Sequence, residues 1–163
     1  MRCFGTPNEN SVENAKFILR FTKSETSDTR VIKKYSVDEA VDFFNNFRSN
    51  YDFDFKIKVS NKMSAVAMVL NNTQTLVLNK NSEFTEQQLN VLANHEIGVH
   101  LVTTFNGLAQ PLKIFHNGFP NNVETQEGIA VLAEYYSGNL TINRVKELAL
   151  RVLAVDSLSK GDD

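Results

Sequence analysis

His95-Glu96-Ile97-Gly98-Val99-His100 sets two imidazoles and a carboxylate within six residues, inside a strongly apolar helical run. It reads as a zinc-hydrolase signature with one residue too many. In the zincin helix H-E-x-x-H the histidines are four apart on one face, and the Glu beside the first acts as general base. At about 100° per residue, a spacing of four leaves two side chains about 40° apart, whereas a spacing of five leaves them about 140° apart and unable to share a metal. The pair can serve one ion only if the helix carries a one-residue bulge, a feature that concentrates at functional sites. Gly98 lies between the histidines and offers no side-chain resistance to an altered backbone. The plain alternative is two structural or surface histidines. Against it, two of the chain's three histidines stand here, and Glu96 occupies the general-base position. Ile97, Val99, Leu101 and Val102 also give the segment a buried character, in which an unpaired imidazole is costly.

The rest of the composition narrows the field. With 163 residues, 42% of them hydrophobic, the chain can bury a sizeable core, and one domain over residues 1–163 is expected. A net charge of −2 with intermixed signs offers no basic field for nucleic acid. No apolar run approaches the roughly 20 residues a membrane-spanning helix needs, and the N-terminus lacks the apolar core of a signal peptide. A cytoplasmic location is the expectation. Cys3 is the only cysteine, so packing rather than an internal disulfide must hold the fold.

Along the chain, Ser11 reads as the cap of a helix through about Phe21, with Phe17, Ile18 and Phe21 at helical spacing. A polar break follows at Lys23–Thr29. Ser36 with Glu39 is a capping box opening a helix whose stripe is Val37, Ala40, Val41, Phe44 and Phe47. Residues 53–59 alternate apolar and polar as a strand with one wet face does. Ala65–Leu70 and Thr75–Asn79 read as a hairpin around Asn71-Asn72-Thr73-Gln74, which predicts an antiparallel sheet of at least three strands. Thr85 with Gln88 is a second capping box, starting the helix that carries both histidines to about Phe105, where Asn106-Gly107 is a stop signal. After a loop over 107–122, a helix is expected from Val123 to about Ser137, closed by Gly138. Thr141 caps a last helix.

A catalytic zinc takes three protein ligands and leaves one position open, so a third donor must come from elsewhere. In the helix beginning at Val123, Glu124, Glu127 and Glu134 recur at spacings of three and seven on roughly one face. Glu127 is the best third ligand, because Gly128 and Ala130 beside it remove bulk and permit close helix approach. Glu124 and Glu134 are then candidates to accept hydrogen bonds from the ligating imidazoles. Glu96 is the candidate general base, a carboxylate beside the first ligand that can take a proton from activated water and pass it to a leaving amine.

These residues carry a resemblance. His95–His100, Asn106-Gly107, Gln110-Pro111 and Glu124-Thr125-Gln126-Glu127-Gly128-Ile129-Ala130 resemble the Q-E-G-L-A motif family of formerly unknown function, which includes the microtubule-associated tyrosine carboxypeptidases. The resemblance is strong over roughly residues 84–155. It implies a zincin-like metallopeptidase with one Zn2+ held by His95, His100 and Glu127, and with Glu96 as catalytic carboxylate. The implied substrate is a protein or peptide C-terminus, tubulin's terminal tyrosine in animal members. Members continue beyond the helix ending near Leu158 into a part whose basic residues hold the substrate's carboxylate. The expectation is therefore either a fragment lacking that part or a reduced member that has the metal site but an incomplete substrate pocket.

The fold expected is α+β and zincin-like: a small antiparallel sheet packed on helices, with the metal between helix 85–105 and helix 123–137. Thr75–Asn79 is the expected edge strand for a substrate. Arg144, Arg151 and Lys113 are read as solvated charges, Tyr135 and Tyr136 as core packing before oxyanion donors, and His116 as a surface imidazole. The competing reading is a non-catalytic zinc-binding or interaction module that retains the metal site. A third is a structural α+β domain whose histidines are core groups.

Overall fold

The computed structural model describes residues 5–22, 32–112, 114–115 and 122–161. Expectations placed on Cys3, on the break at Lys23–Thr29, and on Lys113 and His116 lie outside these residues. In chain order the elements are α1 (Glu9–Phe21), β1 (Lys34–Tyr35), α2 (Val37–Arg48), β2 (Lys56–Ser60), β3 (Ala67–Leu70), β4 (Thr75–Asn79), β5 (Phe84–Thr85), α3 (Glu86–Leu92), a π-helical segment (Ala93–Leu101), α4 (Val102–Ala109), α5 (Val123–Tyr136) and α6 (Ile142–Lys160). The protein is α+β, as expected. Its backbone contacts divide it into two compact units, one containing α1 and α6, the other running from β1 to α5.

In the first unit α1 packs on α6, and the buried side chains of the two helices are Val12, Ala15 and Ala149. The cap of α1 is Asn8 rather than Ser11: Asn8 Oδ1 accepts from the Ser11 backbone N–H at 2.8 Å. Asn8 sits in extended backbone three residues before Ser11, the geometry an N-cap requires. Phe17 and Phe21 of the expected stripe are exposed and lie against each other, ring centroids 4.2 Å apart. Thr141 caps α6 by accepting from the Arg144 N–H, as the sequence predicts.

The second unit contains both capping boxes. Ser36 Oγ accepts from the Glu39 N–H, and Glu39 Oε2 from the Ser36 N–H at 2.7 Å. Thr85 and Gln88 exchange the same pair of bonds at 3.2 and 2.9 Å. Each box satisfies two otherwise orphaned helix N–H groups, and losing such a cap typically costs about 1 kcal/mol.

The three-stranded sheet has the order β2-β4-β3. The hairpin is present, β3 pairing antiparallel with β4 around a 3-10 turn at Asn71–Thr73. The expectation of an antiparallel sheet fails at the other neighbour, because β2 runs parallel to β4. Burial explains the order. Thr75, Leu76, Val77 and Leu78 of β4 are all buried, whereas in β2 Lys56, Lys58 and Val59 are exposed and Ile57 is half-buried. Fully burying one leucine is worth about 1.5–3 kcal/mol over leaving it exposed, so the continuously apolar strand takes the centre and forces β2 and β3 to its two sides. Thr75–Asn79 is thus the central strand, not an edge.

The histidine-bearing helix also runs further than expected. It passes through Gly107, which is buried, and stops at Ala109. Gln110, held extended at φ −74°, ψ 149°, precedes Pro111, and the proline ring disfavours helical backbone in the residue before it. Along this helix Ala93, Ile97 and Leu101 recur every four residues and are fully buried against Phe44, Leu76, Leu78 and Phe84. That stripe fixes the rotation of the helix and leaves its other side, with His95 and His100, for α5. Among the described residues, no helix is long and apolar enough to cross a membrane.

Candidate metal centre

Helical backbone is continuous from α3 through the π segment into α4, since the residues at both junctions keep right-handed helical angles. Within the π segment hydrogen bonds close i→i+5 rather than i→i+4, so a residue and the fifth after it come one above the other. His95 and His100 consequently share a face, with ring centroids 5.0 Å apart. Gly98 lies inside the segment, but the bulge does not depend on its lacking a side chain. A methyl there would sit 3.5 Å from Tyr51 Oη and 3.7 Å from the Ala93 carbonyl oxygen, both ordinary contact distances.

Helix α5 packs on the π segment and brings up the carboxylates. His95 Nε2 lies 3.5 Å from Glu127 Oε2, and His100 Nε2 lies 3.5 Å from Glu127 Oε1. The opposite ring nitrogens are occupied: His95 Nδ1 is 2.8 Å from Glu134 Oε1, and His100 Nδ1 is 3.3 Å from Gln126 Oε1. An ionised carboxylate and an amide oxygen only accept, so Nδ1 carries a proton in each ring, and in the neutral form that a metal would bind the lone pair on Nε2 faces Glu127. Zinc bonds of about 2.0–2.1 Å in a tetrahedron separate neighbouring ligand atoms by roughly 3.3 Å. The 3.5 Å gaps fit that set, and one donor atom from each of His95, His100 and Glu127 lies within 4.8 Å of the other two. The two rings are largely buried while the Glu127 side chain is 54% exposed, which leaves the cluster open on the Glu127 side.

Electrostatics follow from this crowding. For His95, burial opposes protonation, but the Glu134 hydrogen bond and the charges of Glu96, Glu134 and Glu127 outweigh it and hold its pKa above 6.5. Glu96 is pushed above 4.5, first by burial and further by Glu127, against the pull of His95, His100 and the nearby Val69 backbone N–H. Glu96 thus stands near β3, an edge of the sheet.

The expected site residues thus divide. His95, His100 and Glu127 converge, Glu134 contacts His95, and Glu96 lies within reach of their charges. Glu124 is exposed on α5, and among the described residues no hydrogen bond joins it to either histidine; the contact to His100 comes from Gln126. Sequence reasoning missed Gln126 because it followed charge. The available signal was spacing: Gln126, Ala130 and Glu134 recur every four residues, and Ala130 and Glu134 are fully buried. Gly128 is exposed with open space where a Cβ would stand, so Ala130 alone of the two small residues lies in the helix contact. Tyr135 and Tyr136, expected in the core, are exposed, because they lie past Glu134 on the outer side of α5. Arg144 and Arg151 form surface ion pairs with Glu147 on α6.

The fold and these side chains define an α+β protein with a three-donor cluster of the chemistry a divalent ion takes, backed by partners on both imidazoles. Over residues 1–163 the sequence matches the family described as microtubule-associated tyrosine carboxypeptidase, and the chain belongs to that family. The resemblance carried by the two motifs is borne out, over a longer stretch than the motifs span. No curated protein and no solved structure matches the chain.

Proposed function

We propose that the chain is a zincin-like metallopeptidase domain, a carboxypeptidase that removes the C-terminal residue, a tyrosine by its family's description, from a protein or peptide in the cytoplasm. One zinc ion per chain would be held by His95, His100 and Glu127. The observation that supports this reading is the convergence of both Nε2 atoms on the Glu127 carboxylate at 3.5 Å, with each Nδ1 engaged elsewhere. Zinc, when bound, polarises a carbonyl oxygen and lowers the pKa of water toward about 7.

In this reading Glu96 takes the proton of the attacking water and delivers it to the departing amine. Its raised pKa suits the task, because a carboxylate of ordinary acidity is a weaker base. The substrate adds to β3 rather than to β4. Val66 C=O accepts from the Asn79 N–H at 2.9 Å, so Val66, Met68 and Leu70 direct their backbone groups to β4 while Ala67 and Val69 direct theirs to the free edge. An extended peptide pairing there would lie beside Glu96.

The test is a peptide ending in tyrosine, incubated with the zinc-loaded protein. Wild type should release free tyrosine, and Glu96→Gln should lose about 10²–10⁴-fold in rate while retaining its zinc. Zinc-loaded wild type that releases no C-terminal residue from any peptide would leave a metal-binding module in place of an enzyme.

A further inference from the structure

The two imidazoles are held by unlike partners. A fully buried carboxylate, Glu134, accepts from His95 at 2.8 Å, whereas a neutral amide, Gln126, accepts from His100 at 3.3 Å. We infer that Gln126 is a positioning residue of the metal centre: its amide oxygen fixes the tautomer and orientation of His100 without adding charge beside Glu96, Glu127 and Glu134. The inference rests on the zinc reading above and deepens it.

Gln126 and Glu134 lie eight residues apart on α5, with the fully buried Ala130 midway, so one row of the helix aims a partner at each ring. Among the described residues Gln126 is the only hydrogen-bond partner of His100 Nδ1. Without it nothing holds the proton on Nδ1. A proton moved to Nε2, or a ring turned about its Cβ–Cγ bond, removes the lone pair that faces Glu127. A glutamate at 126 would keep an acceptor in place but make the surroundings one unit more negative. That favours retention of a cation and weakens its pull on electrons in a bound group.

The experiment is a zinc titration of wild type, Gln126→Ala and Gln126→Glu against a chromophoric chelator, with thermal melting of each protein after zinc removal. Gln126→Ala should bind zinc about 10- to 100-fold more weakly. Gln126→Glu should restore binding at least to the wild-type level while releasing tyrosine more slowly. Without zinc Gln126→Ala should stay folded but melt lower, since His100 Nδ1 in a largely buried ring loses its partner, whereas Gln126→Glu keeps an acceptor there. Unchanged zinc affinity in Gln126→Ala, or affinity in Gln126→Glu as low as in the alanine variant, would overturn the positioning role while leaving the zinc reading intact. Wild type that binds no zinc would overturn both.

Discussion

His95 and His100, five residues apart in the chain, face each other across 5.0 Å with ring planes at 65°. A regular α-helix would set them about 140° apart, so their meeting is a direct product of the π segment Ala93–Leu101. The same helix keeps Ala93, Ile97 and Leu101 in the core. The backbone thus satisfies two demands at once, a buried apolar stripe and a histidine pair on the side facing α5.

The bulge should survive the loss of its glycine. A methyl at 98 meets only ordinary contacts, and Gly98 is not at positive φ. Gly98→Ala should therefore fold, bind zinc, and gain about 0.4–1 kcal/mol through reduced freedom of the unfolded chain. Urea denaturation with and without zinc checks this; a marked loss of stability or of zinc would show that the turn needs glycine after all.

Glu134 is fully buried with its oxygen 2.8 Å from His95 Nδ1. In Glu134→Ala that nitrogen loses its partner in a largely buried ring, which should cost about 1–3 kcal/mol of folding stability. Chemical denaturation of the metal-free variant reads the loss, and a variant as stable as wild type would mean that water replaces the carboxylate without penalty.

Glu96 gives a signed pH dependence. Its pKa in the folded chain is raised by burial above the value of 4.5 that it has when unfolded. The stability linked to it is fully present below pH 4.5 and is lost as pH rises through the folded value. Glu96→Gln mimics the protonated form and does not suffer this loss. The metal-free variant should gain on wild type between pH 4 and pH 7, as seen in urea midpoints at the two values. A difference that stays constant or shrinks would contradict the burial of this carboxylate.

Zinc binding should weaken in mild acid. A ligating imidazole must be neutral, and in the metal-free protein His95 keeps its proton above pH 6.5 because Glu134, Glu96 and Glu127 favour the cation. Zinc affinity should therefore begin to fall at a pH higher than an unperturbed histidine would dictate, and Glu134→Ala should move the onset to lower pH. Competition titrations across pH 5.5–8 measure it; the same onset in wild type and variant would remove Glu134 as the cause.

Features read correctly from the sequence are those whose physics is local. Ser36 with Glu39 and Thr85 with Gln88 bond within one helical turn, and the hairpin at Asn71–Gln74 joins adjacent strands. The π segment was legible for a different reason: the spacing of His95 and His100 admits a shared face only through a bulge. The parallel pairing of β2 with β4 was not legible, since strand order depends on which strand is buried on both faces. Gln126 escaped because nothing in an uncharged side chain distinguishes it until α5 is laid against the π segment. Glu124, the more conspicuous residue, is exposed, and among the described residues it bonds neither histidine.

The central claim is that His95, His100 and Glu127 hold a metal, and elemental analysis of the purified protein tests it most directly. The account predicts one zinc per chain in wild type and in Glu96→Gln, and loss of zinc in His95→Ala, His100→Ala and Glu127→Ala. Wild type without stoichiometric metal, or zinc retained undiminished in the three alanine variants, would contradict it.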